Sequence, residues 1–148
     1  MYDEAIDTTT DFLRKVPWFA DLDDGSLNAL AKAAIEQSYF AGQEILRQGD
    51  VGVGVFIVRT GKVQVIQSRS GTEHVLTTLG PGEVFGEMAL LDEFPRSASA
   101  RATEPTTCFG LQRWHFRGIL ESHPKIALAL LPILSRRMRR AEGEAAKH

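Results

Sequence analysis

Three polar side chains, whose chemistry suits the recognition of an anion and of a neighbouring hydroxyl group, lie close together in the middle of this 148-residue sequence. Glu87 follows Gly86, and the pair Arg96-Ser97 comes shortly afterwards. An arginine guanidinium is a planar fork of N–H donors that matches phosphate oxygens, and a glycine lets the backbone approach a ligand closely. A nearby carboxylate is an acceptor of the kind that holds a ribose hydroxyl. The stretch therefore predicts a pocket for a singly charged phosphate group with a ribose beside it.

The elements that must position these side chains can be predicted from the local pattern. A turn at Pro81-Gly82 precedes the apolar pair Val84-Phe85, and residues 87–91 are good helix formers. The first N–H groups of a helical turn attract anions, so a short helix here would add to the pocket. One alternative stays open at this point. In this alternative, Glu87 and Arg96 form a purely structural ion pair and no ligand binds.

The combined pattern resembles the phosphate-binding cassette of the cyclic-nucleotide-binding domain family. The matching segments are Phe85-Gly86-Glu87, Ala89-Leu90-Leu91 and Pro95-Arg96-Ser97-Ala98, and the resemblance extends over residues 12–142. It implies that Arg96 pairs with the exocyclic phosphate oxygens and that Ser97 adds one bond. It further implies that Glu87 accepts a hydrogen bond from the ribose 2′-hydroxyl.

The same resemblance gives a wider set of candidate residues. Backbone N–H groups near Gly86, Ala89 and Ser97 would complete the phosphate cradle, and the second C-terminal helix would close over the base. The candidate ligand-binding residues are Phe85, Gly86, Glu87, Met88, Ala89, Arg96, Ser97, Ala98, Leu76, Val84 and Thr77. The candidate lid residues are Leu134, Arg137 and Met138.

The predicted fold is α+β and mainly β. Short apolar runs separated by glycine turns over residues 39–111 predict an antiparallel jelly-roll-like β-barrel, with the cassette at 82–99. Helices are predicted in the N-terminal segment, residues 1–38, and two lid helices at 112–142. Residues 1–148 would then form a single domain, in which the barrel glycines only shape turns.

Two predicted helices carry apolar stripes. The N-terminal stripe consists of Leu27, Leu30, Ala31, Ala34 and Ile35. The C-terminal stripe consists of Ala127, Leu130, Leu131, Leu134 and Met138. Pro132 interrupts the last helix and should kink it, because proline removes a backbone hydrogen bond and crowds the preceding turn.

Composition excludes several classes of protein. A net charge of −2 and a pI near 6.1 give no general attraction to nucleic acid or membranes. We find neither a signal peptide nor a segment able to span a bilayer, so a cytoplasmic location is expected. The four histidines are scattered, which predicts neither a metal site nor an enzyme. Cys108 lies in an apolar strand and is expected to be an inert core thiol.

The resemblance favours a regulatory module that binds cAMP in preference to cGMP and contains no cofactor. A hydroxyl directly after the cassette arginine occurs in members of both preferences, and the overall arrangement looks bacterial. Ligand binding would move the C-terminal helices, whose effector is unknown, and a homodimer through the last helix is possible.

The arginine cluster at 136–140 could mark a nucleic-acid or partner surface, but a solvated helix end is favoured because the net charge is negative and the run is short. No groove-reading helix follows the cluster, so direct DNA binding is not expected. Membrane binding is not expected either, because the net charge gives no attraction to an anionic surface.

The alternative is a scaffold or dimerisation module that keeps the fold without responding to nucleotide. A degenerate module of that kind would be expected to have lost Glu87 or Arg96. Both residues are present, which favours the sensor.

Overall fold

A computed structural model describes residues 4–51, 54–87 and 96–146 of the chain. The helices are α1 (Glu4–Arg14), α2 (Asp24–Ala33), α3 (Arg113–Ser122) and α4 (Pro124–Ala146), with a 3-10 turn at Pro17–Phe19. The strands are β1 (Ile35–Tyr39), β2 (Glu44–Leu46), β3 (Gly54–Thr60), β4 (Val63–Arg69), β5 (Thr72–Leu79), β6 (Val84–Phe85), β7 (Ser99–Ala102) and β8 (Thr106–Gln112).

The strands form two four-stranded antiparallel sheets. The first sheet has the order β1-β8-β3-β6, and the second has the order β2-β7-β4-β5. Pairing of strands far apart in sequence, such as β1 with β8, wraps the sheets into a double-sheet arrangement typical of a jelly roll. The predicted α+β fold, mainly β with helices at both ends, is confirmed.

In the first sheet, strands β3, β6 and β8 bury side chains on both faces, and the alternation of these side chains separates two cores. On β3, Val55 and Ile57 face the helices, whereas Val58 points into the space between the sheets. On β6, Val84 joins the helical core and Phe85 joins the core between the sheets. Because neighbouring strand residues point to opposite faces, β3 and β6 each contact both the helical core and the core between the sheets.

The helices pack as one layer on the outer face of this sheet. The 3-10 turn contributes Trp18 and Phe19, and α4 contributes Ile126, Leu130 and Leu134 to the same buried cluster. The Asp23 side chain accepts a 2.8 Å hydrogen bond from the backbone N–H of Ser26, which caps the start of α2 as its sequence predicts. The amino-terminal and carboxy-terminal helical segments therefore share one core.

The predicted α2 stripe is wrong at its last position. The helix ends at Ala33, and Ile35 is instead the first residue of β1, where it is opposite Gly110 and 48% exposed. The strand region thus starts four residues before the predicted boundary at 39. The spacing of apolar residues predicted a helical Ile35 because this residue follows the helical period. Its conformation is set instead by pairing with β8.

The predicted α4 stripe is also wrong in part. Leu130 and Leu134 are buried, but Leu131 and Met138 are 59% and 48% exposed. The buried arc runs through Ile126, Leu130 and Leu134 at a spacing of four, which turns Leu131 toward solvent. The helix continues through Pro132. None of the described helices has both the length and the apolar character that a membrane span requires.

Two hairpin glycines, Gly61 and Gly71, have similar backbone conformations but different surroundings. Gly61 has a φ of 94°, and a Cβ there would lie 2.6 Å from the Pro105 carbonyl oxygen. Gly71 has a similar φ of 79° but open space around the same position. Gly71→Ala should lower the free energy of unfolding by about 1 kcal/mol through backbone strain alone. Gly61→Ala should lower it by about 1–3 kcal/mol more, because the backbone must also move. Denaturant unfolding measures the difference, and equal losses would contradict the close approach.

Cys108 provides a second test of the core between the sheets. Its side chain is 1% exposed, and burial raises the pKa of the thiol to about 12. The thiol therefore remains protonated, and we expect no reaction with a disulfide reagent in the native protein at about pH 8. The unfolded chain should react at once. Stoichiometric labelling of the native protein at a rate independent of its stability would show that the strand is accessible.

Candidate functional site

The site begins where β6 ends. Val84 and Phe85 are 1% and 3% exposed and are anchored in the two cores, so the chain leaves the sheet at Gly86 in a fixed direction. The Phe85 ring stacks on Phe56 with centroids 5.4 Å apart. Gly86 has a φ of 75°, and a Cβ there would lie 2.5 Å from Nη1 of Arg96. Glycine is needed at this position both for its conformation and to admit the guanidinium.

Arg96 lies against this glycine and is fixed through its own backbone. Its N–H donates to the Asp50 carbonyl at 2.7 Å, and its carbonyl accepts from the N–H of Gly49 at 2.9 Å. The side chain donates from Nη1 to the Gly86 carbonyl at 3.0 Å and from Nη2 to the Gly54 carbonyl at 2.8 Å. One guanidinium thus connects the end of β6 with the start of β3.

The positive charge of Arg96 has no carboxylate paired with it among the described residues. Burial lowers the pKa of Arg96 because desolvation disfavours the charged form, while the negative charge of Glu87 acts in the opposite direction. Among the described residues, the two acceptors of the Arg96 side chain are neutral carbonyls, whereas a guanidinium has five N–H donors. The arrangement is chemically suited to receive an anion.

Glu87 is paired with an arginine from the opposite end of the chain. Its Oε1 accepts a 2.6 Å hydrogen bond from Nη1 of Arg137 on α4, and the Glu87 side chain is only 12% exposed. The guanidinium of Arg137 also lies 4.9 Å from the ring centroid of Trp18. The structural Glu87–Arg96 ion pair left open by the sequence is not formed, although both residues are described.

The remaining cassette residues are described only in part. Ser97 is exposed and Ala98 is partly buried, and both follow Arg96 directly. The Ser97 carbonyl accepts a 3.1 Å hydrogen bond from Nε2 of Gln67 on β4, which ties this end of the cassette to the second sheet. Met88 and Ala89, with most of the predicted short helix, lie outside the described residues.

Two of the candidate ligand-binding residues, Leu76 and Thr77, lie on β5. Leu76 is the extra residue of a β-bulge, because Val65 pairs with Thr77 and Ile66 pairs with Val75. Bulges re-aim side chains, and Leu76 is 47% exposed although it is a large apolar residue. Thr77 is exposed as well. By contrast, Val84 is enclosed in the helical core, so any role in lining the ligand would be indirect.

The predicted lid residues occupy different environments. Leu134 is 8% exposed within the helical core, whereas Met138 is 48% exposed. Arg137 contacts Glu87 and Trp18. A contact of this arginine with a purine stays a prediction.

Trp18 is a residue that the sequence did not assign to the site. Its packing under Arg137 could not be read from sequence spacing, because the two residues lie at opposite ends of the chain. One signal was available: Arg137 is three residues beyond Leu134 and therefore continues the buried arc of α4. In the described parts of the chain, no three His, Cys, Asp or Glu side chains gather as a metal-binding group.

Comparison with known proteins places these features in context. The sequence model of the cyclic nucleotide-binding domain matches residues 36–123. The cyclic AMP receptor protein of Thermus thermophilus is 43% identical over 107 residues, which are 72% of this chain and 50% of the relative. The cGMP-dependent protein kinase isozyme 1 of Drosophila melanogaster is 35% identical over 121 residues, which are 79% of this chain and 16% of the kinase.

A solved structure agrees with the sequence relatives. The crystal structure of Thermus thermophilus catabolite activator protein has a TM-score of 0.81 and 37% identity, covering 88% of this chain and 62% of that chain. The chain thus spans about half the length of its bacterial curated relative. The matched residues include nearly all of both sheets together with Gly86, Glu87 and Arg96, so this chain belongs to the cyclic nucleotide-binding domain family.

Proposed function

We propose that this chain is a sensor module that binds a 3′,5′-cyclic nucleotide, cAMP in preference to cGMP, and that it is not an enzyme. The observation that carries the proposal is the guanidinium of Arg96, which is partly buried beside Gly86 and, among the described residues, donates to two neutral carbonyls. A cyclic nucleotide has one negative charge on its phosphate. That charge would complete the interactions of Arg96 without a second countercharge.

The ribose would occupy the space beside Glu87. Its 2′-hydroxyl would donate to the carboxylate, which is shielded from water and fixed by Arg137. A linear 5′-nucleotide has a doubly charged phosphate and a different span between phosphate and ribose, so both groups would not reach their partners together. A cyclic ribonucleotide is therefore the ligand class that fits the pair Glu87 and Arg96.

The preference for cAMP rests on the relatives rather than on a base contact. The bacterial relative at 43% identity is named a cyclic AMP receptor, whereas the relative named for cGMP is 35% identical. The exposed Leu76 offers an apolar surface to either purine. The hydroxyls of Thr77 and Ser97 remain candidates for contact with base or phosphate.

The output of the module would be the position of α4. This helix shares its core with the 3-10 turn and reaches the cassette through Arg137. A ligand can shift such an element only by its difference in affinity for the two positions. Another domain or a partner would read the shift. A second copy of the chain, joined through the last helix, is one candidate partner.

Calorimetric titration with cAMP, cGMP, 2′-deoxy-cAMP and 5′-AMP tests the proposal. We expect micromolar or tighter binding of cAMP, weaker binding of cGMP and of the 2′-deoxy analogue, and no binding of 5′-AMP. Tighter binding of cGMP would reverse the base preference alone. The absence of heat and of any thermal shift with both cyclic ribonucleotides would favour the ligand-independent scaffold.

Arg96→Ala should weaken cAMP binding by about 2–5 kcal/mol, because it removes the cation that pairs with a buried phosphate. Arg96→Lys keeps the charge but loses the fork, and it should recover only part of the affinity. Arg101→Ala is the matched control, since Arg101 forms a 3.2 Å surface ion pair with Glu73. Unfolding curves of each variant separate lost binding from lost stability. An Arg96→Ala protein that folds and binds like the wild type would disprove the phosphate assignment.

A further inference from the structure

The turn at residues 47–50, which follows β2, holds the backbone of Arg96. The N–H of Gly49 donates to the Arg96 carbonyl, and the carbonyl of Asp50 accepts from the Arg96 N–H. The strand that leads into this turn is a weak anchor. Strand β2 is three residues long, and its register on β7 shifts within those residues, so it provides few ladder hydrogen bonds. The position of the turn therefore depends on contacts beyond β2.

Gln48 supplies such a contact through its side-chain amide. Its Oε1 accepts a 2.7 Å hydrogen bond from the backbone N–H of Ser68, and its Nε2 donates to the Ser68 carbonyl at 3.1 Å. A paired residue on a neighbouring antiparallel strand would exchange the same two bonds. Strand β7 begins at Ser99, opposite Ile66, whereas β4 continues to Arg69. The Gln48 amide thus pairs with a part of β4 that lies beyond the end of β7.

Two further hydrogen bonds connect the same region. The backbone N–H of Gln48 donates to Oγ of Ser99 at 2.9 Å, and Nε2 of Gln67 donates to the Ser97 carbonyl at 3.1 Å. The end of β4 therefore holds both the turn and the residue that follows the cassette arginine. Since the two carbonyls that accept from the Arg96 side chain lie in or next to the first sheet, Arg96 is restrained by both sheets.

This double restraint bears on the phosphate contact. A guanidinium fork pairs with phosphate through directional bonds, so it needs a defined position as well as a charge. A displacement of the turn would move the Cα of Arg96 while the acceptors of its side chain stay in place. Attachment of the turn to β4 removes that freedom before a ligand arrives, which lowers the ordering cost of binding.

We propose that Gln48 is a positioning residue for the phosphate contact, because its amide pairs with the backbone of Ser68 and so fixes the 47–50 turn that holds Arg96. This inference rests on the proposed function. Gln48 acts in this role without touching the nucleotide. Because β4 also pairs with β5, which carries the candidate ligand-binding residues Leu76 and Thr77, the same amide fixes Arg96 relative to that strand.

Gln48→Met, compared with Gln43→Met, tests the inference. Methionine keeps the length of the side chain but lacks the amide donor and the amide oxygen. Gln43 is also partly buried and lies at the opposite end of β2, where its Oε1 accepts a 3.1 Å hydrogen bond from the Phe40 N–H. We expect Gln48→Met to weaken cAMP binding about fivefold and Gln43→Met to leave it unchanged. Ser68 is exposed, so water replaces the lost bonds and the fold should persist. Gln48→Ala is the second variant if the methionine is not accommodated.

The phosphate supplies a readout that a general loss of stability would not move. Substitution of sulfur for one or the other exocyclic oxygen of cAMP gives two diastereomers, which a firmly held guanidinium fork should distinguish. We expect the ratio of their affinities to move toward one in Gln48→Met and to keep its wild-type value in Gln43→Met. A wild-type ratio of one, or a ratio that Gln48→Met leaves unchanged, would overturn the inference.

Amide hydrogen exchange identifies the route of the effect. In Gln48→Met without ligand, the N–H groups of Gly49 and Arg96 should exchange severalfold faster than in the wild type, because the turn that joins them is released. Gln43→Met should leave both rates unchanged. A loss of cAMP affinity with unchanged exchange at these two amides would contradict a route through the turn. If the wild type binds no cyclic nucleotide, the proposed function fails and this inference fails with it. If the wild type binds and the two methionine variants bind alike, only this inference fails.

Discussion

The geometry of the site depends on a partly desolvated guanidinium bonded to main-chain carbonyls. Arg96 donates to the carbonyls of Gly86 and Gly54, so its side chain fixes the relation between the end of β6 and the start of β3. No carboxylate among the described residues pairs with Arg96, so its charge is available to an anion, whereas bonding to two carbonyls limits the free-energy cost of its burial. The same contacts require a glycine at position 86, because a Cβ would collide with Nη1. The cassette arginine is therefore both a structural element and the proposed ligand-binding group.

Arg96 bonds to the start of β3 and to the residue after β6, two strands that bury side chains on both faces of their sheet. Val84 and Phe85 enter different cores, which prevents β6 from sliding by one residue, since such a shift would exchange the two faces. Arg96 is held from the other side by backbone hydrogen bonds to Gly49 and Asp50. The two partners of the proposed ligand thus lie on a fixed frame. A change in position on ligand binding would therefore fall to elements outside these strands. Helix α4 is such an element, and it contacts Glu87 through Arg137.

The contact between α4 and the cassette would give the proposed sensor a physical route from ligand to output. Arg137 contacts both Glu87 and Trp18, so a displacement of the carboxylate would alter contacts of the last helix and of the 3-10 turn. The apolar residues on the same arc, Leu130 and Leu134, give the helix a docked position. An ion pair shielded from water is well suited to report on that position, because its strength depends steeply on distance and on the surrounding solvent.

The sequence by itself determined the fold class, the strand-rich middle and the cassette chemistry. These features are local: glycine turns, apolar alternation and the types of residues around Gly86 and Arg96 are properties of short segments. Tertiary structure decided the rest. Ile35 joined a strand because β8 offers it a partner, and Leu131 turned outward because the buried arc of α4 is set by what it packs against. The ion-pair partner of Glu87 likewise could not be predicted from the neighbouring sequence. Arg137 lies fifty positions away, and only folding brings it to the carboxylate, since side-chain pairing across a fold depends on three-dimensional packing and leaves no trace in sequence spacing.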